Sequence, residues 1–204
     1  AWGWGWRTGG PAEVWSWVPV GGGEGTARVL GMLDLGDALL YWQDGLSRHQ
    51  GRQMLAAVAA QHRAFLVAAP GDLTPLSDLV SLFAPDRMAP LVGSTNPLAA
   101  IVLRGWDIFG ETVPADVVEP IFALLAGPRR LADALQARPT TLVHGDLATV
   151  NMAVSDGELT LLDWAMPADA PGALDRHRFV AGVPSVVDAP PRELLRRTGA
   201  GAVP

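Results

Sequence analysis

The chain of 204 residues contains no cysteine, so it can hold neither a disulfide framework nor a thiolate metal site. It contains no lysine either: all 15 basic residues are arginine, which excludes any step that depends on a lysine ammonium. High Ala, Arg, Gly and Pro without Lys has the look of a GC-rich coding sequence. Charge is scarce as well, at 18% of residues, and the balance is acidic, with a net charge of −6 and a pI near 5.1. That balance argues against a nucleic-acid-binding surface. No apolar run reaches the roughly 18 residues that a membrane-spanning helix requires, so no membrane partner is expected. The longest helical stretch, around Met54 to Ala69, is broken by Gln61, His62 and Arg63.

What is present is enough for a sizeable buried core. Hydrophobic residues make up 49% of a chain long enough for one domain or two small lobes. The absence of cysteine and of a signal-peptide layout fits a cytoplasmic location. The chain begins with Ala1, not Met, and is expected to be a fragment or a processed product.

Residues 1–10 alternate Trp and Gly before losing all pattern, which suggests a poorly ordered or locally packed terminus. Val14 to Val20 reads as a strand or a helix end, and Gly21 to Gly25 as a flexible break. Thr26 to Met32 and Ala38 to Trp42 are β-prone runs joined by a Gly/Asp turn, which predicts a hairpin between them. After Asp44-Gly45 the period becomes helical, with Leu55, Val58, His62 and Phe65 on one face. Pro70-Gly71-Asp72 is the expected stop. Helices are expected over residues 74–83, Pro97 to Gly110, Pro114 to Ala126 (interrupted at Pro120) and Arg129 to Ala137. Thr141-Leu142-Val143 is a short strand. Met152 to Val154 and Leu159 to Leu162 flank Ser155-Asp156-Gly157, a hairpin signal. Helices follow from about Ala173 and over Arg192 to Arg197. The order is that of an α+β protein.

One segment carries chemistry. His144-Gly145-Asp146-Leu147-Ala148-Thr149-Val150-Asn151 is followed twelve residues later by Asp163-Trp164. A hairpin returns its far end to its start, so Asp163 should approach the loop that holds Asp146 and Asn151. Three oxygen-bearing side chains then converge, as a Mg²⁺ ion bridging nucleotide phosphates requires. The competing reading makes Asp146 and Asn151 ordinary loop residues and Asp163 a helix cap. A hydrolytic metal held by His144, Asp146 and Asp163 lacks a further His or Cys at ligand spacing. There is no GxSxG elbow and no GxxxxGK loop. His62, on the apolar face of its helix, reads as a hydrogen-bonded core histidine, and His49 and His177 as solvated. Asp169 reads as a solvated loop carboxylate and Asp175 as a helix-start residue, with attraction of a cationic acceptor as the alternative for both.

HGDLATVN…LTLLDWAMP closely resembles the catalytic segment of the aminoglycoside phosphotransferase/choline kinase-like family, a branch of the protein-kinase-like fold. Family members read HGDxxxxN and then an apolar strand ending in Asp-Trp. Ala38 to Asp44 resembles the strand and hinge that hold adenine, Leu55 to Phe65 the helix after it, and Ala173 to Gly182 the helix after the Asp-Trp. The likeness spans roughly residues 26–200 and is specific at 142–166.

The resemblance implies a truncated small β lobe and hinge over residues 1–44 and a helical large lobe over 45–204. It implies that Asp146 acts as base or hydroxyl-orienting group, with His144 bracing the loop beside it. Asn151 and Asp163 would hold Mg²⁺, and Trp42, Gln43 and Asp44 would meet the adenine of ATP (or GTP), although Gln43 and Gly45 depart from the family's pattern. The acceptor would be a small-molecule hydroxyl, aminoglycoside-like or otherwise. Such enzymes also use a phosphate-covering loop and a strand Lys paired with a helix Glu. Gly21 to Gly25 and Thr26 to Met32 leave too little chain before the helices to be that loop and strand. The Lys strand is therefore expected to precede residue 1, with Glu13 at most the paired Glu, and the family's final helices to follow residue 204. A non-catalytic kinase-like binding domain is the alternative.

Overall fold

Ser47 starts the longest helix by closing a capping box: its backbone N–H donates to Gln50 Oε1 at 2.9 Å, and its hydroxyl accepts from the Gln50 N–H at 3.3 Å. The helix, α1, runs Arg48–Ala64 in the computed structural model and buries Met54, Leu55 and Val58 on one stripe. Residues 17–20, 27–30, 35–41, 45–94, 97–155, 158–182, 187 and 190–197 are described. The expected features at residues 1–10, Gly21 to Gly25, Glu13, Trp42 to Asp44 and Asp156-Gly157 lie outside them.

The chain mixes helices with small antiparallel sheets, an α+β arrangement. Two short strands, β1 (Trp17–Val20) and β2 (Ala27–Leu30), pair with each other. Among the described residues, the hairpin expected between Thr26 to Met32 and Ala38 to Trp42 is not found. Instead residues 36–38 make a 3-10 turn. Leu39 then bridges Ala153, and the Leu40 N–H donates to Met152 O at 3.0 Å. The β-prone pattern of this run was legible, but its partner is set by a contact across more than a hundred residues.

Helix α1 ends at Ala64, before Pro70 is reached, and the turn that follows includes Val67 with φ of 53°. Short helices α2 (Leu76–Val80) and α3 (Pro85–Met88) lead to α4 (Leu98–Thr112), α5 (Ala115–Ala126) and α6 (Pro128–Gln136). Pro120 does not interrupt α5. Trp106, Phe109 and Phe122 cluster between α4 and α5, and the Trp106 indole donates to Phe83 O at 2.7 Å.

Strand β3 (Thr141–Val143) carries the chain into the segment His144 to Asn151. Its partner is β6 (Ala168–Ala170), a strand that its Ala-Asp-Ala composition does not announce. The expected hairpin forms as β4 (Met152–Ser155) against β5 (Glu158–Leu161), with Met152 opposite Leu161. Helices α7 (Ala173–Gly182) and α8 (Pro191–Arg197) follow. The main core joins Met54, Leu55 and Val58 of α1 to Leu142, Leu147, Met152, Leu161, Trp164 and Phe179. Val143, Ala168 and Ala170 pack instead with Leu76 and Ala132. The site loop thus lies between two cores, which hold it from both sides. Among the described residues no helix is long and apolar enough to cross a membrane.

Candidate functional site

The loop after β3 has no regular structure of its own until a 3-10 turn at residues 149–151, so side chains must hold it. Asp175, on the first turn of α7, does this from below. It is 1% exposed, and its carboxylate accepts from the His144 N–H at 2.7 Å and the Gly145 N–H at 3.0 Å. Its Oδ2 also lies 3.0 Å from His62 Nε2. A buried carboxylate is tolerated only when its lone pairs are so occupied. His62 approaches closely because residue 172 is glycine: a Cβ there would stand 2.5 Å from His62 Nδ1. The residues flanking His62 and the strand it faces add two further ties. Gln61 Nε2 donates to Leu142 O at 2.7 Å, and the Thr141 hydroxyl donates to His62 O at 2.7 Å.

His144 is fully buried and bridges the loop to the end of the hairpin. Its Nε2 lies 2.7 Å from Leu162 O, and its Nδ1 accepts from the Asp146 N–H at 3.3 Å. That pair of contacts fits the neutral tautomer with the proton on Nε2. The Trp164 ring covers the imidazole, with centroids 4.7 Å apart. With both nitrogens engaged and no exposure, His144 braces the loop and has no route to a substrate.

Gly145 takes φ of +86°, and a Cβ there would meet Met166 O at 2.1 Å. Only glycine lets the loop lie against the segment that follows Asp163-Trp164.

Asp146 is partly exposed. Arg178, on α7, donates to its Oδ1 at 2.7 Å, and Asn151 Nδ2 donates to its Oδ2 at 3.2 Å and its backbone oxygen at 2.9 Å. These contacts use the Asn151 amide nitrogen and do not use its Oδ1. The hairpin delivers Asp163 as its period requires: the Leu162 N–H donates to Asn151 O at 2.9 Å, which sets Asp163 one residue beyond Asn151's neighbour. Asp163 is exposed and has φ of 54°, a left-handed conformation that Asp adopts more readily than most non-glycine residues and that Val67 and Asp72 share elsewhere in the fold.

Asn151 Oδ1 and the Asp163 carboxylate are hard oxygen donors on adjacent backbone. Mg²⁺ commonly takes one or two protein oxygens and completes its shell with phosphates and water, so the donor set fits that ion. Among the described residues no group of three or more His, Asp or Glu side chains is placed to hold a metal ion.

Of the sequence-derived site residues, His144, Asp146, Asn151 and Asp163 lie together around one loop and hairpin. Trp42, Gln43 and Asp44 lie outside the described residues. His62 is the hydrogen-bonded core histidine expected, and Asp169 is exposed on β6. His49 is exposed; His177 is exposed too, with Nδ1 2.6 Å from Ala173 O. Asp175 does more than start a helix, and its burial excludes the attraction of an acceptor. Arg178 went unremarked in the sequence. Its only signal there is its place one turn beyond Asp175, on the same face of α7.

No protein-family model, no curated protein and no solved structure matches this chain.

Proposed function

We propose that the loop and hairpin spanning His144 to Asp163 form the base-and-metal half of a phosphotransferase site on a protein-kinase-like fold. The reaction moves the γ-phosphate of ATP or GTP to a hydroxyl of a small molecule. The observation that carries this reading is the Asn151–Asp146 contact at 3.2 Å on a loop held by a buried carboxylate, with the Leu162–Asn151 backbone hydrogen bond placing Asp163 on the neighbouring strand end. A bound Mg²⁺ would supply charge neutralisation on the phosphates, with Asn151 and Asp163 as its protein ligands. The chain's own residues do the rest. Asp146 receives or orients the acceptor hydroxyl's proton, and Arg178 and Asn151 fix the plane of its carboxylate. Asp175 and His144 keep the loop from relaxing, so that the attacking oxygen is aligned at little entropic cost.

The family resemblance of the 142–166 segment and the segments around it supports the same reading. So does the pairing of Leu39 and Leu40 with β4, which brings the start of the segment resembling the strand and hinge onto the hairpin that leads to Asp163. The acceptor is proposed only as a small hydroxyl compound, because such folds set it with helices and loops of variable composition. A second reading, a nucleotide-binding domain without turnover, is favoured by one observation: the chain has no lysine to grip the phosphates.

The test is Mg²⁺-ATP and Mg²⁺-GTP consumption against a panel of aminoglycosides, choline, sugars and homoserine, for the wild-type chain and Asp146→Asn. Acceptor-dependent turnover that Asp146→Asn lowers by at least about a hundredfold, with nucleotide binding kept, supports the enzyme. Nucleotide binding without turnover supports the second reading. Turnover that survives Asp146→Asn removes Asp146 from its role.

A further inference from the structure

Helix α4 is apolar over most of its circumference, yet the protein covers only part of it. Ala99, Val102, Leu103, Trp106 and Phe109 face inward, buried or half-buried. Beside them runs a second stripe, Leu98, Ile101, Gly105, Ile108 and Thr112, spaced by alternating steps of three and four and exposed throughout. Leu98 is 43% exposed, Ile101 64% and Ile108 45%, large values for branched aliphatics on a regular helix. Spacing of this kind is the seam of a two-helix interface.

Gly105 sharpens the point. A glycine in the middle of a helix costs stability and leaves room for a close approach. Among the described residues nothing makes one: a Cβ built at Gly105 meets no atom within 4 Å. Whatever the missing side chain makes room for is not part of the described fold.

The stripe is complementary to itself in one orientation. In an antiparallel pair of α4 helices, Gly105 lies opposite Ile108 of the second copy, and Ile101 opposite Thr112. Each layer then sets a bulky side chain against a small one, and the two-fold axis repeats both layers. The flanking charges agree. Arg104 and Glu111 edge the stripe, 63% and 65% exposed, and within one chain they meet only loosely at 3.9 Å. Antiparallel pairing sets Arg104 against Glu111 of the second copy, twice. Parallel pairing would set Arg104 against Phe109. We infer that the exposed face of α4 binds a second copy of this chain as an antiparallel, two-fold helix pair. The seam is short, so the dimer belongs to the small, reversible class of interfaces. It is independent of the phosphotransferase reading.

Sedimentation velocity across the micromolar range, on the full chain, tests this. The expected result is a reversible dimer that Ile108→Glu and Gly105→Leu each convert to monomer with an unchanged far-ultraviolet circular dichroism spectrum. Arg104→Glu and Glu111→Arg singly should weaken the dimer by roughly tenfold, because each sets two pairs of like charges together. The double reversal should restore it. A monomer throughout the range overturns the proposal. So does a dimer indifferent to Ile108→Glu or to the single reversals. A monomer whose stripe binds an apolar dye, with binding lost in Ile108→Glu, overturns it in favour of another occupant.

Discussion

Two carboxylates, Asp175 and Asp163, stand in opposite physical situations. Asp175 is buried and fully engaged by His62 and by two loop amides. Asp175→Asn keeps the volume but gives up one acceptor and turns amide hydrogens toward the remaining donors. The expected loss is about 2–4 kcal/mol of stability, measurable by urea denaturation. Asp163, exposed and left-handed, is the converse case. Asp163→Gly should leave the metal-free fold as stable as the wild type or up to about 1 kcal/mol more so, since glycine relieves the strain while loosening the unfolded chain. The same variant should lose Mg²⁺-dependent nucleotide binding, which isothermal titration would read.

At this scale the sequence was informative about the exposed chemistry and poor on what supports it. The spacing of Asp146, Asn151 and Asp163, with the hairpin signal between them, was enough to bring the three together on paper. Burial of Asp175 has no one-dimensional signature. Near the start of a helix an acidic residue is ordinary, and only the fold reveals that the loop amides point at it.

Elements were legible where their cause is local. The 3.6 period of α1, the Asp-Gly turn between β4 and β5, and the start of α7 near Ala173 are all local signals. Those set from a distance were not. Strand β6 is Ala-Asp-Ala and exists because β3 lies beside it. The segment at Leu39 pairs with Ala153 and not with its sequence neighbour. Proline is a local break signal, yet α5 continues through Pro120. Pro120 is exposed and withholds one helix hydrogen bond, so Pro120→Ala should stabilise the protein by about 1–3 kcal/mol in thermal or urea unfolding. At the start of α1, Ser47→Ala removes the acceptor for the Gln50 N–H and should cost about 1 kcal/mol in the same measurement.

At the scale of the molecule, two cores flank one polar loop, and the groups that reach solvent from it are those the proposed phosphoryl transfer would use. Several inward-facing polar groups around the loop are engaged in ties, Gln61 on Leu142, Thr141 on His62 and His144 on Leu162, while Gln61 Oε1 and Thr149 Oγ1 are buried without a hydrogen-bond partner. Asp146 with Arg178 beside it and Asn151 are partly exposed, and Asp163 is exposed. The acidic net charge of −6 makes unspecific attraction of a nucleotide unfavourable, so binding should depend on the divalent ion. Calorimetric titration of ATP into the wild-type chain and into Asp163→Ala, with and without Mg²⁺, tests this most directly. The expected result is binding that requires Mg²⁺ in the wild type and is lost in Asp163→Ala. Binding that ignores Mg²⁺, or that Asp163→Ala leaves unchanged, would contradict it.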